Sequence, residues 1–379
     1  MKKILLMVAI TLCVLSIVFV GCKAKSDAVN IGLIFPLSGP VAFYGNESRD
    51  GALLAIEEIN AAGGLLGSQL AAISEDDEGN SEITINAFTK LTTRDNVSHI
   101  IGSSTSAPTI AISTLAQRSG VVLISPSATN INATVAGDFV FRACFIDPFQ
   151  GVVGADFAFD YLETRRAAVL YDAGADYNTG LAEAFRDQFI SLGGQIVAYE
   201  AYQTGDVDFN AQITRIRAAN PDVVYLPNYL NDVRLQALQL RDLGVNTPLV
   251  GGDGWDGVID LAGDEVLNGF WSAGFASDTT EPRGVDFVQA FQAKFGRSAS
   301  QFAALGYDSM MLLADGIRAA GTFDAAAVKD AMAQIDGYYV TGRIRFDADR
   351  NPIKGAAMLE IQRVDGILTN VYKTTVNPR

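Results

Sequence analysis

The sequence predicts an α/β protein built from two doubly wound domains. One order of elements (strand, aromatic turn, helix, Gly-Gly, strand, helix, strand) occurs twice, with Gly63-Gly64 and Gly193-Gly194 at matching places. The predicted strands are short apolar runs that alternate with helical patterns and end in polar loops, which is typical of parallel sheets. A chain of 379 residues is also long enough for two domains of ordinary size.

The first copy of this order begins with a strand over 29–35. A turn over 36–45 carries Phe43 and Tyr44, and a helix over 47–60 has its apolar residues three and four positions apart. The spacing then predicts strands over 70–73, 99–101, 121–124 and 139–144, with helices over 81–94 and 107–118 between them. Ser81 is the predicted cap of the helix that it begins.

The second copy begins after Asp147. A turn over 172–179 carries Tyr177, and the predicted strands cover 167–171, 195–200, 222–226 and 248–250. Helices are predicted over 181–192, 209–219 and 232–243. Later segments are predicted to return to the two sheets, as helices over 287–295, 302–320 and 325–335 and strands over 343–346 and 357–362.

The stretch 99–130 predicts where a ligand binds. Its two strands flank one helix, so they run parallel and their polar loops lie at the same carboxyl edge of the sheet. Open α/β sheets bind ligands at that edge. The first loop, which ends at Ser106, also leads into a helix N-terminus, whose free N–H groups suit an anion such as a carboxylate.

The N-terminus has the pattern of a bacterial lipoprotein signal. Lys2 and Lys3 precede an apolar run over 4–20, and Gly21-Cys22 follows at once. We expect a signal peptide over 1–21, a lipid on Cys22 and a tether over 22–28. The alternative is an uncleaved helical anchor, and both place the folded part outside the cytoplasm.

Composition and motifs argue against several functions. The net charge is −15 with no basic cluster, which is unsuited to nucleic acid. His99 is the single histidine, and no G-x-S-x-G or phosphate-loop motif occurs, so we expect no catalytic residues, no metal and no cofactor. Cys144 is the one cysteine after Cys22, so the folded part has no intramolecular disulfide.

The motifs GSSTSAPTIA at 102–111 and LISPSATN at 123–130 resemble the Leu/Ile/Val-binding proteins, the substrate-binding subunits of amino-acid ABC transporters. The resemblance extends over nearly all of the chain after Cys22. It implies the type I periplasmic binding protein fold, with a three-strand hinge between lobes at 29–146 plus 277–350 and at 147–276 plus 351–379.

The resemblance also implies residue roles. Ser106, with Ala107 beside it, lies where the family binds the ligand α-carboxylate, and Ser127 and Thr129 lie where the next loop contacts the ligand. Tyr177 and Tyr229 match cleft tyrosines, Tyr44 an aromatic cover for the side-chain pocket, and Asp253 an acid for the α-ammonium. From the residues alone, Ser106 could instead cap its helix, and Asp253 could be a turn residue.

We therefore expect a monomeric, extracytoplasmic, lipid-anchored protein that binds an amino acid and delivers it to an ABC permease. An aliphatic amino acid is favoured, while small amides and other carboxylates stay open. The alternative function is that of a bilobed sensor for a membrane signalling partner.

Overall fold

The computed structural model describes residues 28–377 and contains two main sheets. In the first, five parallel strands lie in the order β2-β1-β3-β4-β5. These strands are β1 (Val29–Phe35), β2 (Leu70–Asp76), β3 (His99–Gly102), β4 (Val122–Ser125) and β5 (Val140–Arg142). The first sheet and the helices packed on it are called the first lobe below.

The second sheet has seven strands in the order β14-β13-β10-β9-β8-β6-β7, of which β6 to β10 are parallel. These strands are β6 (Arg166–Asp172), β7 (Gln195–Tyr202), β8 (Val223–Leu226), β9 (Leu249–Gly251), β10 (Gly269–Ala273), β13 (Ala356–Val364) and β14 (Ile367–Val376). β13 pairs antiparallel with both β10 and β14. This sheet and its helices form the second lobe. A separate hairpin joins β11 (Asp336–Tyr339) to β12 (Gly342–Arg345).

The α-helices of the described chain cover the faces of the two sheets. They are α1 (Ala42–Ala61), α2 (Ser81–Thr93), α3 (Ser106–Ser119), α4 (Asp147–Asp156), α5 (Asp176–Ser191), α6 (Asn210–Ala219), α7 (Leu230–Asp242), α8 (Pro282–Phe295), α9 (Gln301–Ala320) and α10 (Ala325–Met332). α3 shows how sequence sets an element: Ile112 and Ala116 are fully buried against the first sheet, and Gly120 ends the helix in the left-handed region at φ +64°.

The chain passes between the lobes three times. The crossover segments lie between Arg142 and Asp147, between Ala273 and Pro282, and between Arg345 and Ala356. Two α/β lobes joined by three crossovers confirm the predicted fold class. The lobe boundaries that the family resemblance implies, at 146/147, 276/277 and 350/351, stay a prediction, and each falls within one of these segments.

Two predicted aromatic turns are wrong, because helices begin earlier than expected. Phe43 and Tyr44 lie in the first turn of α1, and Tyr177 lies in the first turn of α5. Gly45 suggested a turn, but it lies inside α1, where a Cβ would come within 2.0 Å of the Pro36 carbonyl oxygen. The glycine permits a close backbone approach and does not break the helix.

The cap of α2 is also corrected. Asn80, not Ser81, is the N-cap, and its side chain accepts hydrogen bonds from the Glu82 and Ile83 N–H groups. The sequence reading missed α4, β10, β11 and β14 altogether. Two of these four elements, α4 and β10, adjoin a crossover segment, where the regular alternation of strand and helix stops.

The predicted signal peptide and Cys22 lie outside the described residues. Within residues 28–377, no helix is both long and apolar enough to cross a membrane. Cys144 is free and buried, and burial raises the pKa of its thiol to about 12, so it is an unreactive core residue at neutral pH.

Candidate functional site

The carboxyl edges of the two sheets face each other across a closed cleft. A cavity of about 10 Å³ remains between them, lined by Tyr44, Ser104, Thr105, Ser106, Ser127, Tyr177, Tyr229, Asp253, Gly254 and Phe302. Six of the eight predicted ligand contacts are thus brought together: Tyr44, Ser106, Ser127, Tyr177, Tyr229 and Asp253. A space of this size holds about one water, so an amino acid can enter only when the lobes or these side chains move.

The wall from the first lobe is neutral and rich in hydroxyl groups. Ser106 is the first residue of α3, and the N-cap Thr105 makes no side-chain capping bond. The Ser106 hydroxyl does not cap the helix either, since its Oγ accepts a bond from the Asn130 N–H at 3.3 Å. The N–H groups of the first turn therefore have no side-chain cap, and their positive dipole end faces the cavity that Ser106 lines.

The other predicted contacts of this lobe are less direct. Ser127 donates from Oγ to the Ser104 carbonyl at 2.6 Å, so it ties the two polar loops together. Ala107 and Thr129 do not line the cavity in the closed arrangement. The Oγ1 of Thr129 is buried and has no hydrogen-bond partner, although Thr129 lies one residue from Asn130, which contacts Ser106.

The wall from the second lobe carries Asp253, which lies in a short 3₁₀ turn after β9. Its Oδ1 accepts hydrogen bonds from Gln150 Nε2 at 3.0 Å and from the Tyr177 hydroxyl at 2.9 Å. The carboxyl is only 3 % exposed, and burial raises its pKa to about 6. A buried carboxylate of raised pKa is a favourable partner for a cation that enters the cleft.

Aromatic rings fill the rest of the cleft. Tyr177 and Tyr229 stack with their ring centres 4.9 Å apart, and Tyr44 lies 4.6 Å from Phe302. The Tyr44 hydroxyl joins the two lobes, since it donates to the Gly254 carbonyl at 2.7 Å and accepts from the Leu230 N–H at 2.9 Å. These rings form an apolar surround for whatever lies between the serines and Asp253.

A second contact joins the lobes at the N-terminus of α9. The Oδ2 of Asp256, from the second lobe, accepts a hydrogen bond from the Gln301 N–H at 2.9 Å. The Gln301 side chain in turn donates to the Asp253 carbonyl oxygen at 3.1 Å. Burial raises the pKa of Asp256 to about 7. The Asp256 carboxyl thus satisfies an orphan N–H of a helix in the other lobe.

The sequence reading missed Asp147, the first residue of α4. It is 1 % exposed, and burial raises its pKa well above the usual range, while the nearby Thr129 hydroxyl and the charge of Arg142 lower that pKa in part. Its N–H donates to the Thr129 carbonyl at 2.9 Å, and the charge of Asp253 raises its pKa further. Asp147 is therefore a second buried acid near the cleft, and within residues 28–377 its carboxyl oxygens accept no hydrogen bond of ordinary length and angle.

Gln150, Ser104 and Phe302 were missed as well. Gln150 holds Asp253 at two points, because its Oε1 also accepts from the Asp253 N–H at 2.6 Å. In the sequence, Gln150 and Phe302 sit among apolar helix residues and carry no visible signal. Within residues 28–377, no group of three or more His, Cys, Asp or Glu residues is arranged to hold a metal ion.

Comparisons with known proteins identify the relatives of this chain. The family model described as "Periplasmic binding protein" matches residues 28–366. The chain is 35% identical over 313 residues to the Leu/Ile/Val-binding protein BraC3 of Rhizobium johnstonii, which covers 80% of this chain and 83% of that protein.

Solved structures give the same result. The branched-chain amino acid transporter substrate binding protein LivJ of Streptococcus pneumoniae, in complex with isoleucine, superposes with a TM-score of 0.86 at 34% identity and covers 93% of this chain and 100% of that chain. A solute binding protein of an ABC transporter from R. palustris, in complex with benzoate, has a TM-score of 0.83 at 24% identity over 93% and 98% of the two chains. That second likeness shows the fold alone.

Proposed function

Because the chain belongs to the periplasmic binding protein family, we propose that it captures an amino acid between its lobes and delivers it to an ABC permease. The family is one of binding proteins, and the absence of catalytic activity stays a prediction. The observation that carries the proposal is the opposite chemistry of the two walls of one cavity: the uncapped start of α3 on one side and buried Asp253 on the other. An α-amino acid presents one carboxylate and one ammonium group to match them.

The proposed contacts follow from these walls. The ligand carboxylate binds the Ser106 hydroxyl and the N–H groups at the start of α3, with Ser127, Thr129 and Ala107 beside them. The ammonium group binds Asp253, and the buried Asp147 carboxyl supplies further acceptors. The rings of Tyr44, Tyr177, Tyr229 and Phe302 surround the side chain, which favours an aliphatic group.

Closure completes the binding site in this proposal. The ligand first docks on the open first lobe, and the second lobe then brings Asp253 and the tyrosines over it. Tyr44 and Asp256 bond across the lobes without needing a ligand, so they lower the cost of closing. The ligand shifts the population to the closed form because only the closed form lets it contact both lobes.

A ligand panel tests the proposal. Protein freed of carried-over ligand by unfolding and refolding is mixed with each of the twenty amino acids, with urea and short amides, and with aromatic acids, and its thermal unfolding is followed. A ligand at about 100 times its Kd adds about 2.7 kcal/mol to the free energy of unfolding, which raises Tm by several degrees. We expect one group of aliphatic amino acids to do so.

Other outcomes of the panel are equally informative. Stabilisation only by acids without an ammonium group, such as benzoate, would keep the carboxylate site and remove Asp253 from its role. Silence across the panel would contradict the amino-acid proposal and favour a sensor of another ligand.

Membrane attachment through Cys22 is a separate part of the proposal. We expect mass spectrometry of the protein from its native membrane to find an acylated Cys22 as the first residue. An unprocessed N-terminus would favour the uncleaved helical anchor instead.

A further inference from the structure

A second cavity, of about 690 Å³, lies beside the hinge. Its walls come from the second crossover segment, the third crossover segment, the turn of the β11–β12 hairpin and the end of β14. It shares no lining residue with the cleft cavity between the lobes. A space of several hundred Å³ is the usual size of a small-molecule site. This space is called the hinge cavity below.

Lys354 is the buried cation of the hinge cavity. The residue is only 6 % exposed, and within residues 28–377 both hydrogen-bond partners of its Nζ are uncharged. The Nζ donates to the Thr341 Oγ1 at 2.5 Å and to the Ala143 carbonyl at 3.4 Å. An ammonium group has three N–H donors, so at least one has no partner of its own.

The nearby acid Asp308 does not pair directly with the Lys354 ammonium group. Asp308 accepts from the Thr341 Oγ1 at 2.6 Å, so it reaches Lys354 only through this hydroxyl. Burial lowers the pKa of Lys354 to about 8, and Asp308 raises it in part. A buried ammonium with two neutral partners gains from an anion at the cavity wall.

The rest of the hinge cavity combines apolar side chains with polar ones, among them Thr279, Thr341 and Thr375. Phe275 and Ala357 are buried or half-buried in its wall, and Ile353 and Tyr372 lie at its mouth with 42 % and 45 % of their surface exposed. The Arg343 guanidinium is already paired with Asp336 through two hydrogen bonds. The acids Asp278 and Glu281 are exposed, where water screens their charge.

We propose that the hinge cavity is a second binding site, for a small organic monocarboxylate whose carboxylate pairs with Lys354 and whose apolar body lies against Phe275 and Tyr372. The site goes beyond the proposed amino-acid function and does not depend on it. Because its walls are crossover segments, closure changes their spacing. An occupant that prefers one state therefore changes affinity in the cleft, and the cleft ligand changes affinity here by the same factor.

Anomalous diffraction locates the ligand directly. Crystals of the protein are soaked with 4-bromobenzoate or, as a neutral match, with 4-bromobenzamide. We expect a bromine peak in the hinge cavity with the acid and none with the amide. A peak only in the cleft, or no peak, would overturn the proposal, and equal peaks for acid and amide would reduce the site to apolar packing.

Calorimetry in solution tests the role of Lys354. We expect Lys354→Met to weaken 4-bromobenzoate binding at this site by at least about tenfold and Lys354→Arg to retain it, since a charge-assisted bond is roughly twice as strong as a neutral one. The matched control is Lys373→Met, whose amine pairs with Glu360 on β13. If Lys354→Met unfolds, Lys354→Arg and the soaked crystals decide. Binding seen at crystal concentration only, with no heat in solution, would overturn the proposal.

Discussion

The two walls of the cleft differ in charge although both are loops at the carboxyl ends of parallel strands. The wall from the first lobe offers hydroxyl groups and the start of α3, with Ser106 and Ser127 as its lining side chains. The wall from the second lobe offers Asp253, and the buried acids Asp147 and Asp256 lie nearby. The same position in two similar sheets thus carries a helix N-terminus in one lobe and buried acids in the other.

This difference indicates what closure does energetically. Every acid of the second wall has a pKa raised by burial, so the closed form without ligand carries unfavourable carboxylates. The first wall has no charged side chain in the cavity and supplies only dipoles. In the proposed binding mode, a ligand ammonium would neutralise the acids of the second wall, and a ligand carboxylate would bind the helix N-terminus of the first.

Among the variants proposed here, replacement of Asp253 should lower ligand affinity the most. We expect Asp253→Ala to leave the ligand ammonium without its main partner, at a cost of about 3–5 kcal/mol for a buried pair, or a loss of at least about a hundredfold in affinity. Calorimetry with the ligand found in the panel measures it. The control is Asp260→Ala, which removes an exposed acid from the same loop. Unchanged affinity in Asp253→Ala would place the ammonium elsewhere.

Asp147 offers a second, smaller test with two readouts. Asp147 is buried, and burial raises its pKa well above the usual range, so Asp147→Asn removes an unfavourable buried acid and should raise Tm of the ligand-free protein. The same change should lower affinity for an ammonium ligand by about tenfold, since an amide oxygen accepts more weakly than a carboxylate. Thermal unfolding and calorimetry give the two values.

The control for this pair of readouts is Asp160→Asn, at an exposed position after α4. A raised Tm with unchanged affinity would mean that the buried Asp147 carboxyl destabilises the fold and does not contact the ligand. The acidic wall would then consist of Asp253 alone.

The fold was easier to predict than the contacts between the lobes. Short apolar strands and helix spacing predicted the sheets, because burial on both faces leaves a local pattern in sequence. The loops that form the cleft were predicted by the same rule, since parallel strands place their ends together.

Contacts between distant segments left no such pattern. Asp147 and Gln150 follow an ordinary helix start, and their role comes from Asp253, about a hundred residues away. Phe302 lies on a helix that returns to the first lobe after the second crossover, so only packing brings it to Tyr44. The predicted turn over 36–45 extended too far, because the close approach of the Gly45 backbone to Pro36 inside α1 depends on tertiary packing.

Asp256 should make closure depend on pH. Burial raises its pKa to about 7, so the closed form holds a proton more tightly than an open form in which the carboxyl is solvated. The cost of closing therefore falls as pH drops from about 7 towards the ordinary carboxyl pKa of about 4, and it is constant above about 7. Small-angle scattering of the ligand-free protein should give a smaller radius of gyration at pH 5.5, below that raised pKa, than at pH 8, above it.

The charged residues around Asp256 also affect its pKa, so a variant of Asp256 itself is needed as a control. Glu47 on α1 and Asp260 on its own loop both raise the pKa of Asp256, while Glu47 is itself buried and paired with Arg297. Asp256→Asn keeps an acceptor for the Gln301 N–H and should reduce the pH dependence. It should not abolish it, because burial also raises the pKa of Asp253. An unchanged pH profile in Asp256→Asn would contradict the proposed role.

Ser106 should have the smallest effect of the residues that contact the ligand. Ser106→Ala removes one hydroxyl but keeps the N–H groups and the dipole of α3, so we expect a loss of about 1 kcal/mol, or roughly fivefold in affinity. Ser113→Ala is the matched control, since that buried hydroxyl on the same helix bonds only to the Ile110 carbonyl. A loss as large as that of Asp253→Ala would show that the first wall relies on the side chain more than on the helix. If Ser106→Ala and Ser113→Ala bound the ligand with equal affinity, the N–H groups at the start of α3 would alone form the carboxylate site.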